Sequence, residues 1–523
     1  MEMLGSSSTI WTFIFALPLV LLWIVYRKSK FRYFSDLGVP GPTPSLFNGN
    51  YDELMSSGKG SWLVVTDWIK KYGPVFGYYR GGPSRILMVA DHEMLKTILI
   101  KDFAHFSDRT IMTSSRKRLP VSFRGNLTVL TGDDWKRVRS TLSPTFTAKK
   151  MKMMSPKINN MIDILLSIVE EKCAANEVTD IYGLFQGLTL DVIGSCAFAM
   201  EVNCQRNPKD IFLENTRALF RNANNLFIRI IQMFPEFNFL IGPIMLLVAP
   251  NFKRGRILTS NLRQTIELRR AQMQAGSATN HADMIQLMLE ASENKEGGTA
   301  EDGKNGHGEV QKKYLTEEEM IGNSFVFLLA GFETTANCLG FTAYLLAKYP
   351  EIQQRLYEEI VELFGHTEKV DYEQAQKAAY LEMVIEESLR LFPPVTSFVT
   401  RVASETVNVN GQIVPEGTGI EVPVWYLQHD PAVWDQPYEF VPERFSEENK
   451  PSINPMSYMP FGAGPRNCIG MRFALLEVKI AFIRILKRYR LDTCEMSEPE
   501  IQLQQSTATI NPRNGVFVRL SRR

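Results

Sequence analysis

The feature that most constrains the fold of this 523-residue chain is a ten-residue segment, 461–470, that contains one cysteine, Cys468. It reads Phe-Gly-Ala-Gly-Pro-Arg-Asn-Cys-Ile-Gly, and its glycines and proline predict an irregular loop. An apolar stretch that predicts a helix over residues 471–489 follows directly. Backbone N–H groups at that helix N-terminus favour the anionic form of the Cys468 sulfur, which is the form that binds metals.

The remaining cysteines and the net charge limit the compartment and the partners that this protein can have. The six cysteines are spread along the chain without a CxxC pair, which predicts that most of the protein lies in a reducing compartment. The formal net charge is +1, so composition offers no electrostatic case for nucleic acid, and we expect no nucleic-acid partner. The other cysteines, which we expect to be inert, are Cys173, Cys196, Cys204, Cys338 and Cys494.

An uncharged apolar run near the N-terminus predicts a membrane anchor. Residues 10–26 carry no charge and reach the lower limit of roughly 17 residues for spanning a bilayer. Basic residues follow at once, while the start carries Glu2 and no small-residue cleavage site closes the run, which argues against a cleaved signal. The positive-inside rule then places residues 1–9 in the lumen and the body in the cytosol. A signal sequence or a buried helix is the alternative.

The rest of the chain is predicted to be one large domain behind a stiff linker. Residues 27–50 are basic and rich in proline, and residues 51–523 show no second boundary. Thr316 and Glu319 form a capping box that should begin a long helix ending just before Pro350. The other predicted elements are strands at 75–79 and 86–89, a mainly helical region at 135–290 and a solvated loop at 292–313.

The cysteine segment resembles the haem-binding loop of the cytochrome P450 superfamily at every fixed position, and further motifs of that superfamily occur in the same order along nearly the whole chain. Residues 31–42 and the end of the long helix resemble the animal microsomal family 3 and thromboxane synthase group. The resemblance implies the mainly α P450 fold with a small β region. It implies haem b as cofactor, with Cys468 as the axial thiolate ligand of the iron, a ligand that favours cleavage of the O–O bond.

The implied reaction inserts one atom of O₂ into a lipophilic substrate of the steroid, fatty acid or xenobiotic class. No flavin or nicotinamide motif is visible, so we expect electrons from NADPH–cytochrome P450 reductase, with cytochrome b5 as a further partner, at the endoplasmic reticulum membrane. A basic docking face for the reductase is predicted, with an ordinary solvated surface as the alternative. Its residues would be Lys136, Arg137, Lys479 and Lys487.

The middle of the long helix contains a second group of predicted site residues. Thr334 offers a hydroxyl that can bond back to a carbonyl, and the small residues Ala330 and Gly331 leave room for a ligand, although small residues also serve close helix packing. By resemblance this face is the oxygen-activation groove beside the haem, where Thr334 would hold dioxygen and water and Glu333 would deliver protons. Helical periodicity puts on one face Phe327, Ala330, Gly331, Thr334 and Cys338.

Donors for the haem propionates are the third predicted group. Trp135 and Arg139 resemble the W-x-x-x-R motif of the superfamily, and indole and guanidinium groups are donors without acceptors, as a carboxylate requires. Arg109, Arg401 and Arg466 fall where microsomal relatives place further propionate partners, with solvated surface as the alternative. Phe461, at the start of the cysteine loop, is also predicted to contact the haem.

Two segments are assigned structural roles. Glu387 and Arg390 resemble the E-x-x-R motif, and residues 442–445 resemble the segment that completes a buried network behind the cysteine loop. Residues 237–250 are apolar but interrupted by Gly242 and Pro243. They are predicted either to dip into the bilayer surface beside the anchor or to pack in the core.

The substrate pocket and the reaction leave alternatives. Positions 111–123, 212–227, 325, 395–398 and 506–509 are predicted to line the pocket. One alternative function is a haem-thiolate isomerase acting on a peroxide; thromboxane synthase, which resembles this chain, lacks a hydroxyl at the place of Thr334. Another is a non-catalytic haem or lipid carrier at the membrane.

Overall fold

In the computed structural model of the protein, the described residues are 3–56, 60–109, 121–200, 202–221, 226–248, 250–275, 284–293, 314–505 and 509–523. The predicted pocket positions 111–120, 222–225 and 506–508 lie outside them. So does the predicted loop from residue 294 to 313, and helix structure extends through Glu293, past the predicted start of that loop.

The fold is mainly helical, as predicted. The helices are α1 (Met3–Phe31), α2 (Tyr33–Asp36), α3 (Tyr51–Ser56), α4 (Ser61–Tyr72), α5 (His92–Lys96), α6 (Val121–Arg124), α7 (Gly132–Leu142), α8 (Ala148–Ala174), α9 (Ile181–Phe198), α10 (Ile211–Arg221), α11 (Leu226–Met233), α12 (Asn238–Val248), α13 (Pro250–Gln274), α14 (Met284–Glu293), α15 (Glu317–Lys348), α16 (Pro350–Phe364), α17 (Tyr372–Ala375), α18 (Ala379–Leu391), α19 (Val424–His429) and α20 (Met471–Leu486).

The strands form small sheets at the edge of the helical body. A four-stranded sheet has the order β1-β2-β7-β4, with β2 and β7 parallel. The predicted strands at 75–79 and 86–89 are β1 and β2, paired antiparallel with Val75 opposite Val89. The strands are β1 (Val75–Tyr79), β2 (Arg85–Val89), β3 (Thr179–Asp180), β4 (Thr400–Val402), β5 (Val407–Val409), β6 (Gln412–Val414), β7 (Gly419–Glu421), β8 (Tyr489–Asp492), β9 (Leu503–Gln505), β10 (Ile510–Pro512) and β11 (Phe517–Arg522).

Helix α15 runs through the centre of the helical core. Thr316 and Glu319 form the predicted capping box: the Thr316 hydroxyl accepts from Glu319 N at 3.2 Å, and Glu319 Oε2 accepts from Thr316 N at 2.9 Å. At about 1.5 Å per residue the 32-residue helix is roughly 48 Å long. It packs closely on α9, where a Cβ added to Gly331 would lie 3.1 Å from the Ile193 side chain.

The helix after the cysteine loop is shorter than predicted. Helix α20 begins at Met471 but ends at Leu486, and β8 begins at Tyr489. Tyr489 and Leu491 are buried in alternation with exposed neighbours, and Leu491 pairs opposite Leu520 of β11. Apolar residues spaced two apart therefore form a strand here, because β11 supplies a partner that local periodicity does not reveal.

Helix α1 continues past the predicted anchor and is tied to the body at Arg27. Arg27 is fully buried; its Nε and Nη2 donate to the Glu236 carboxylate at 2.8 and 2.9 Å, and its Nη1 donates to the carbonyls of Leu46 and Phe47. Large apolar side chains of α1 and of the segment from Phe237 to α12 are exposed. They are Leu17, Leu19, Val20, Leu21, Leu22, Val25, Phe237, Phe239, Leu240 and Ile244.

The segment at 237–250 therefore does not pack in the core over its described side chains, and α12 continues as a helix through Gly242 and Pro243. Among the described residues, two helices are long and apolar enough to cross a membrane, α9 and α15. Their apolar windows are 78% and 72% buried inside the protein, which is the environment of core helices.

Candidate active site

The cysteine loop has a backbone geometry that only its own sequence allows. Cys468 N donates to the Phe461 carbonyl at 2.8 Å, and Asn467 N donates to the Gly464 carbonyl at 3.0 Å. Gly464 has φ +72°, and a Cβ there would lie 1.9 Å from the Leu99 carbonyl oxygen. Any side chain at position 464 would clash with that backbone, so the glycine lets the loop close against the segment at Leu99.

The Cys468 sulfur lies where a thiolate is partly stabilised. The side chain is solvent-accessible, although protein surrounds it. Burial raises the pKa of the thiol, whereas the backbone N–H groups of Gly470 and Met471 and the positive charges of Arg139 and Arg109 lower it. By contrast, burial raises the pKa of the Cys338 thiol to about 12, so that side chain stays a neutral thiol.

Four of the predicted donors, Arg109, Arg139, Arg401 and Arg466, form a cluster beside the cysteine loop. Arg109 Nη2 donates to the Arg466 carbonyl at 3.2 Å, Arg401 Nη2 donates to the Ala463 carbonyl at 3.3 Å, and Arg139 Nη2 donates to Asn467 Oδ1 at 3.1 Å. Burial and the repulsion of neighbouring arginines lower the pKa of Arg401 and Arg466 to about 9 and that of Arg109 to about 10. A negatively charged ligand would therefore stabilise the charged form of the arginine cluster.

Trp135 is buried under this cluster. The Arg466 guanidinium lies 4.3 Å above the Trp135 ring, and its Nη2 donates to the Leu130 carbonyl at 2.7 Å. Asp108 Oδ1 lies 3.6 Å from Arg466 Nη2 and accepts from Gly132 N. Asp108 and Asn467 were not among the predicted site residues; their adjacency to Arg109 and Cys468 was the available signal.

The residues present fit a haem. Within the described chain, Arg109 Nε and Nη1 and Arg466 Nε are buried donors that have no partner of their own. Buried donors without partners are costly, and carboxylates are the ligands that guanidinium groups prefer. A planar dicarboxylate cofactor that binds a thiolate would satisfy both the arginine cluster and Cys468.

The accessible stripe on α15 differs in part from the predicted face. Phe327 and Cys338 are buried, at 7% and 6% exposure. Between the buried ends of the helix, the accessible residues are Val326, Leu329, Ala330, Gly331 and Thr334. Ala330 is the most open, and the Thr334 hydroxyl donates to the Ala330 carbonyl at 2.6 Å, which is the predicted back-bond. Gly331 serves close packing on α9 rather than ligand space.

Glu333 turns away from that stripe. Its side chain is buried, at 1% exposure, and its Oε1 accepts from Asn511 Nδ2 of β10 at 3.1 Å. The structure therefore places the carboxylate between α15 and the C-terminal strands, next to Thr334 in sequence but on another face of the helix.

The predicted buried network behind the cysteine loop is confirmed. Arg390 and Glu387 are both 0% exposed and joined by bonds of 2.7 and 2.8 Å. Glu387 Oε1 also accepts from Val441 N at 3.0 Å and Arg444 Nε at 3.4 Å. The pair is thus a core feature, not a surface ion pair.

The predicted basic docking face is wrong for two of its four residues. Arg137 is 7% exposed and pairs with Glu319, and Lys479 is 2% exposed and pairs with Glu382. Both charges are compensated inside the protein. Lys136 is exposed, and Lys487 is half-buried with its Nζ donating to the Thr367 carbonyl at 2.9 Å.

Two of the predicted pocket positions have a defined environment. Phe325 is 1% exposed and packs edge-on against Phe123, with ring centroids 5.1 Å apart. Phe398 lies under the Arg109 guanidinium, 4.6 Å from its ring centroid, which brings the segment at 395–398 to the arginine cluster.

Fold and site together define a class of protein: a mainly helical haem protein whose iron ligand is a thiolate. Comparison with known proteins agrees. The family model described as Cytochrome P450 matches residues 39–518. The chain therefore belongs to the cytochrome P450 family; it is a haem-dependent monooxygenase that acts on lipophilic substrates with O₂ and an external reductase.

Three relatives show the range of similarity. Cytochrome P450 3A7 of Homo sapiens is 35% identical over 491 residues, which cover 94% of this chain and 92% of the relative. Cytochrome P450 3A27 of Oncorhynchus mykiss is 33% identical over 520 residues, covering 99% and 95%. Lithocholate 6-beta-hydroxylase of Mesocricetus auratus is 33% identical over 526 residues, covering 99% and 98%.

Proposed function

We propose that Cys468 is the axial ligand of the haem iron in this monooxygenase. The observation that carries the proposal is the environment of its sulfur: it is accessible, and the nearby N–H groups of Gly470 and Met471 and the charges of Arg139 and Arg109 all lower its pKa. Hydrogen bonds to a ligating sulfur tune the metal that it holds. Phe461, whose carbonyl accepts from Cys468 N, holds the start of the loop and contacts the haem.

We further propose that the arginine cluster holds the propionates. Among the described residues of the cluster, Arg109 has two buried donors, Nε and Nη1, without a partner, so it is the strongest candidate. Arg466, Arg401 and Arg139 contribute charge, although each also donates to a carbonyl or amide of the protein. Trp135 supports Arg466 from below.

When bound, the haem supplies the reduction and cleavage of dioxygen. Ala330 leaves space beside α15, and the back-bonded Thr334 hydroxyl presents its oxygen to that space as an acceptor for a water. Glu333 supplies protons to that water from the other face of the helix. Insertion of one oxygen atom into a C–H bond consumes two electrons and two protons and releases one water, so this supply is part of the reaction.

The substrate class and the electron donors are narrower proposals. A relative that hydroxylates lithocholate favours a steroid skeleton, over a fatty acid or a xenobiotic, as the substrate of this chain. We propose that the external reductase is NADPH–cytochrome P450 reductase and that cytochrome b5 is a further partner. Fold alone does not choose a substrate, so a binding screen read from the haem spin state is the direct test.

We propose that the protein is anchored in the endoplasmic reticulum membrane. Residues 10–26 form the span, residues 1–9 are lumenal, 27–50 are the linker and 51–523 are the cytosolic catalytic domain. The exposed apolar side chains at 17–25 and those of Phe237, Phe239, Leu240 and Ile244 support a shared membrane-facing surface.

Replacing the proposed ligand tests the first proposal. Cys468→Ser should lose the red-shifted Soret band of the reduced carbonyl complex, because a neutral alcohol is a far poorer ligand than a thiolate. Cys494→Ser is the matched control, since Cys494 is also a free cysteine and lies outside the loop. A red-shifted band that persists in Cys468→Ser would show that another cysteine binds the iron.

Thr334→Ala distinguishes oxygen insertion from isomerisation of a peroxide. The change keeps a helix-favouring side chain, so folding and haem loading should survive. NADPH consumption should continue while product falls and hydrogen peroxide rises, because the protons arrive in the wrong place. A ratio of product to NADPH equal to that of the wild type would remove Thr334 from the mechanism and favour the isomerase.

A further inference from the structure

A chain of polar side chains leads away from Glu333 through the core. Asn511 Nδ2 donates to Glu333 Oε1 at 3.1 Å. The Asn511 side chain also lies near the Tyr182 hydroxyl and lowers its pKa, although burial raises that pKa overall. Tyr182 lies on α9, is 6% exposed, and donates to Asn337 Oδ1 of α15 at 2.8 Å. Three elements far apart in sequence thus meet around one buried hydroxyl.

The chain continues from Tyr182 to the surface. Gln186 Nε2, one helical turn further along α9, donates to the Tyr182 hydroxyl at 3.2 Å. Arg217 Nε of α10 donates to Gln186 Oε1 at 2.8 Å. Arg217 lines a surface pocket of about 340 Å³, together with Asp180 and Lys172. The path therefore runs from the middle of α15 to solvent.

Two buried polar atoms within this cluster are without a hydrogen-bond partner from the described chain. They are Asn337 Nδ2 and Asn511 Oδ1. One is a donor and the other an acceptor, and both side chains flank the Tyr182 hydroxyl. Buried waters occupy such places, because unpaired buried polar groups are costly.

The orientation of the Glu333 carboxylate indicates what this chain of polar side chains could do. If Glu333 supplies protons toward Thr334, as proposed above, its carboxylate must be reprotonated after each release. The carboxylate accepts from Asn511 and lies within electrostatic reach of the Tyr182 hydroxyl, whereas the accessible stripe is on another face of α15. The α9 side therefore offers a hydroxyl that can return protons to Glu333.

We propose that Tyr182 is the positioning residue through which Glu333 regains protons from solvent at the Arg217 pocket. The Tyr182 hydroxyl takes a proton from a water on the Gln186 side and, in the same step, gives its own proton, turned away from Asn337, to a water between Asn511 and Asn337 that passes a proton to Glu333. No electron moves in this step, and the hydroxyl is restored. The inference rests on the proposed role of Glu333.

Tyr182→Phe tests the proposal in the haem-loaded, reductase-supplied enzyme. Product per NADPH should fall roughly tenfold, with hydrogen peroxide in its place; this is less than the roughly 10²–10⁴-fold effect of losing a general acid outright, because Glu333 itself is still present. The solvent isotope effect of D₂O on product formation should rise. Gln186→Leu breaks the same path on the solvent side and should give the same two changes if Tyr182→Phe does not fold.

An infrared readout separates a proton path from packing. The carboxyl band of Glu333, assigned by its loss in Glu333→Gln, should shift in Tyr182→Phe. Tyr344→Phe is the control, because Tyr344 is also a buried tyrosine but lies on α15 itself and donates to the Pro499 carbonyl at 2.9 Å. An unshifted band and an unchanged product ratio in folded Tyr182→Phe would overturn the proposal.

The two proposals fail in different ways. If Thr334→Ala lowers the product ratio and Tyr182→Phe does not, protons reach Glu333 by another route and the proposed function stands. If neither variant lowers it, the oxygen-side role of Thr334 and Glu333 is wrong as well. If both do, the double variant Tyr182→Phe/Glu333→Gln should be no worse than Glu333→Gln alone.

Discussion

Arg390→Ala should destroy the haem site from a distance. Arg390 makes two bonds to Glu387, and its Nη1 also donates to the carbonyls of Gln428 at 2.9 Å and Pro437 at 2.7 Å. Both charges of the pair are fully buried. Removing the arginine leaves a buried carboxylate whose charge is no longer balanced by its main partner.

The free-energy cost follows from that burial. Breaking one side of a buried ion pair costs roughly 3–5 kcal/mol, against a total stability of about 5–15 kcal/mol. The damage is passed on to the cysteine loop, because Gln428 Oε1 accepts from Met459 N at 3.2 Å and the Met459 carbonyl accepts from Gly462 N at 2.9 Å. We therefore expect little or no haem-loaded protein.

Haem content per chain and the midpoint of urea unfolding measure the effect. Arg355→Ala is the matched control, because Arg355 pairs with Glu443 at the surface, with side chains 58% and 43% exposed. That loss should cost only about 1–2 kcal/mol, including the contact of Arg355 with the Tyr380 ring. An Arg390→Ala protein that loads haem and unfolds at the same urea concentration as Arg355→Ala would contradict the expected cost of breaking the buried pair.

Two further outcomes are expected. Deleting residues 1–26 should leave a folded, haem-loaded body that still binds vesicles weakly through Phe239 and Leu240; failure to load haem would contradict the anchor assignment. His429 is buried beside Arg390, and burial first and that charge second lower its pKa from 6.5 to about 3. Since the unfolded chain binds the proton first, stability should fall by up to about 5 kcal/mol as the pH drops from 6.5 to 3, and His429→Gln, measured by urea unfolding, should lose much of this dependence.

Local signals in the sequence predicted local structure well. The Thr316 and Glu319 capping box, strands β1 and β2, and the back-bond of Thr334 depend on residues within four positions of each other or on one strand pair. The interactions that form these features join residues close together in the chain, so one sequence is enough to predict them. The cysteine loop belongs to the same group, because its glycines and proline exclude regular structure by themselves.

Features decided by distant partners could not be predicted. Arg137 is a basic residue on a helix, a pattern that suggests a surface position. In the fold it is buried, because it pairs with Glu319, which lies 182 positions later in the chain. Glu333 follows the same rule, because Asn511, 178 positions later, sets the direction of its carboxylate. The end of α20 is likewise fixed by pairing with the C-terminal strand.

If α1 spans the membrane as proposed, its attachment at Arg27 would link bilayer thickness to the orientation of the catalytic body. Helix α1 is continuous to Phe31, and Arg27 fixes it to Glu236 and to the carbonyls near Phe47. A spanning helix answers a thicker or thinner bilayer by changing its tilt. If α1 spans the membrane as proposed, it cannot tilt alone: the body must rotate with it, which raises or lowers the apolar surface of α12 relative to the lipid. A change in membrane composition that alters bilayer thickness would then change the orientation of the catalytic body, because Arg27 holds α1 and the body together rigidly.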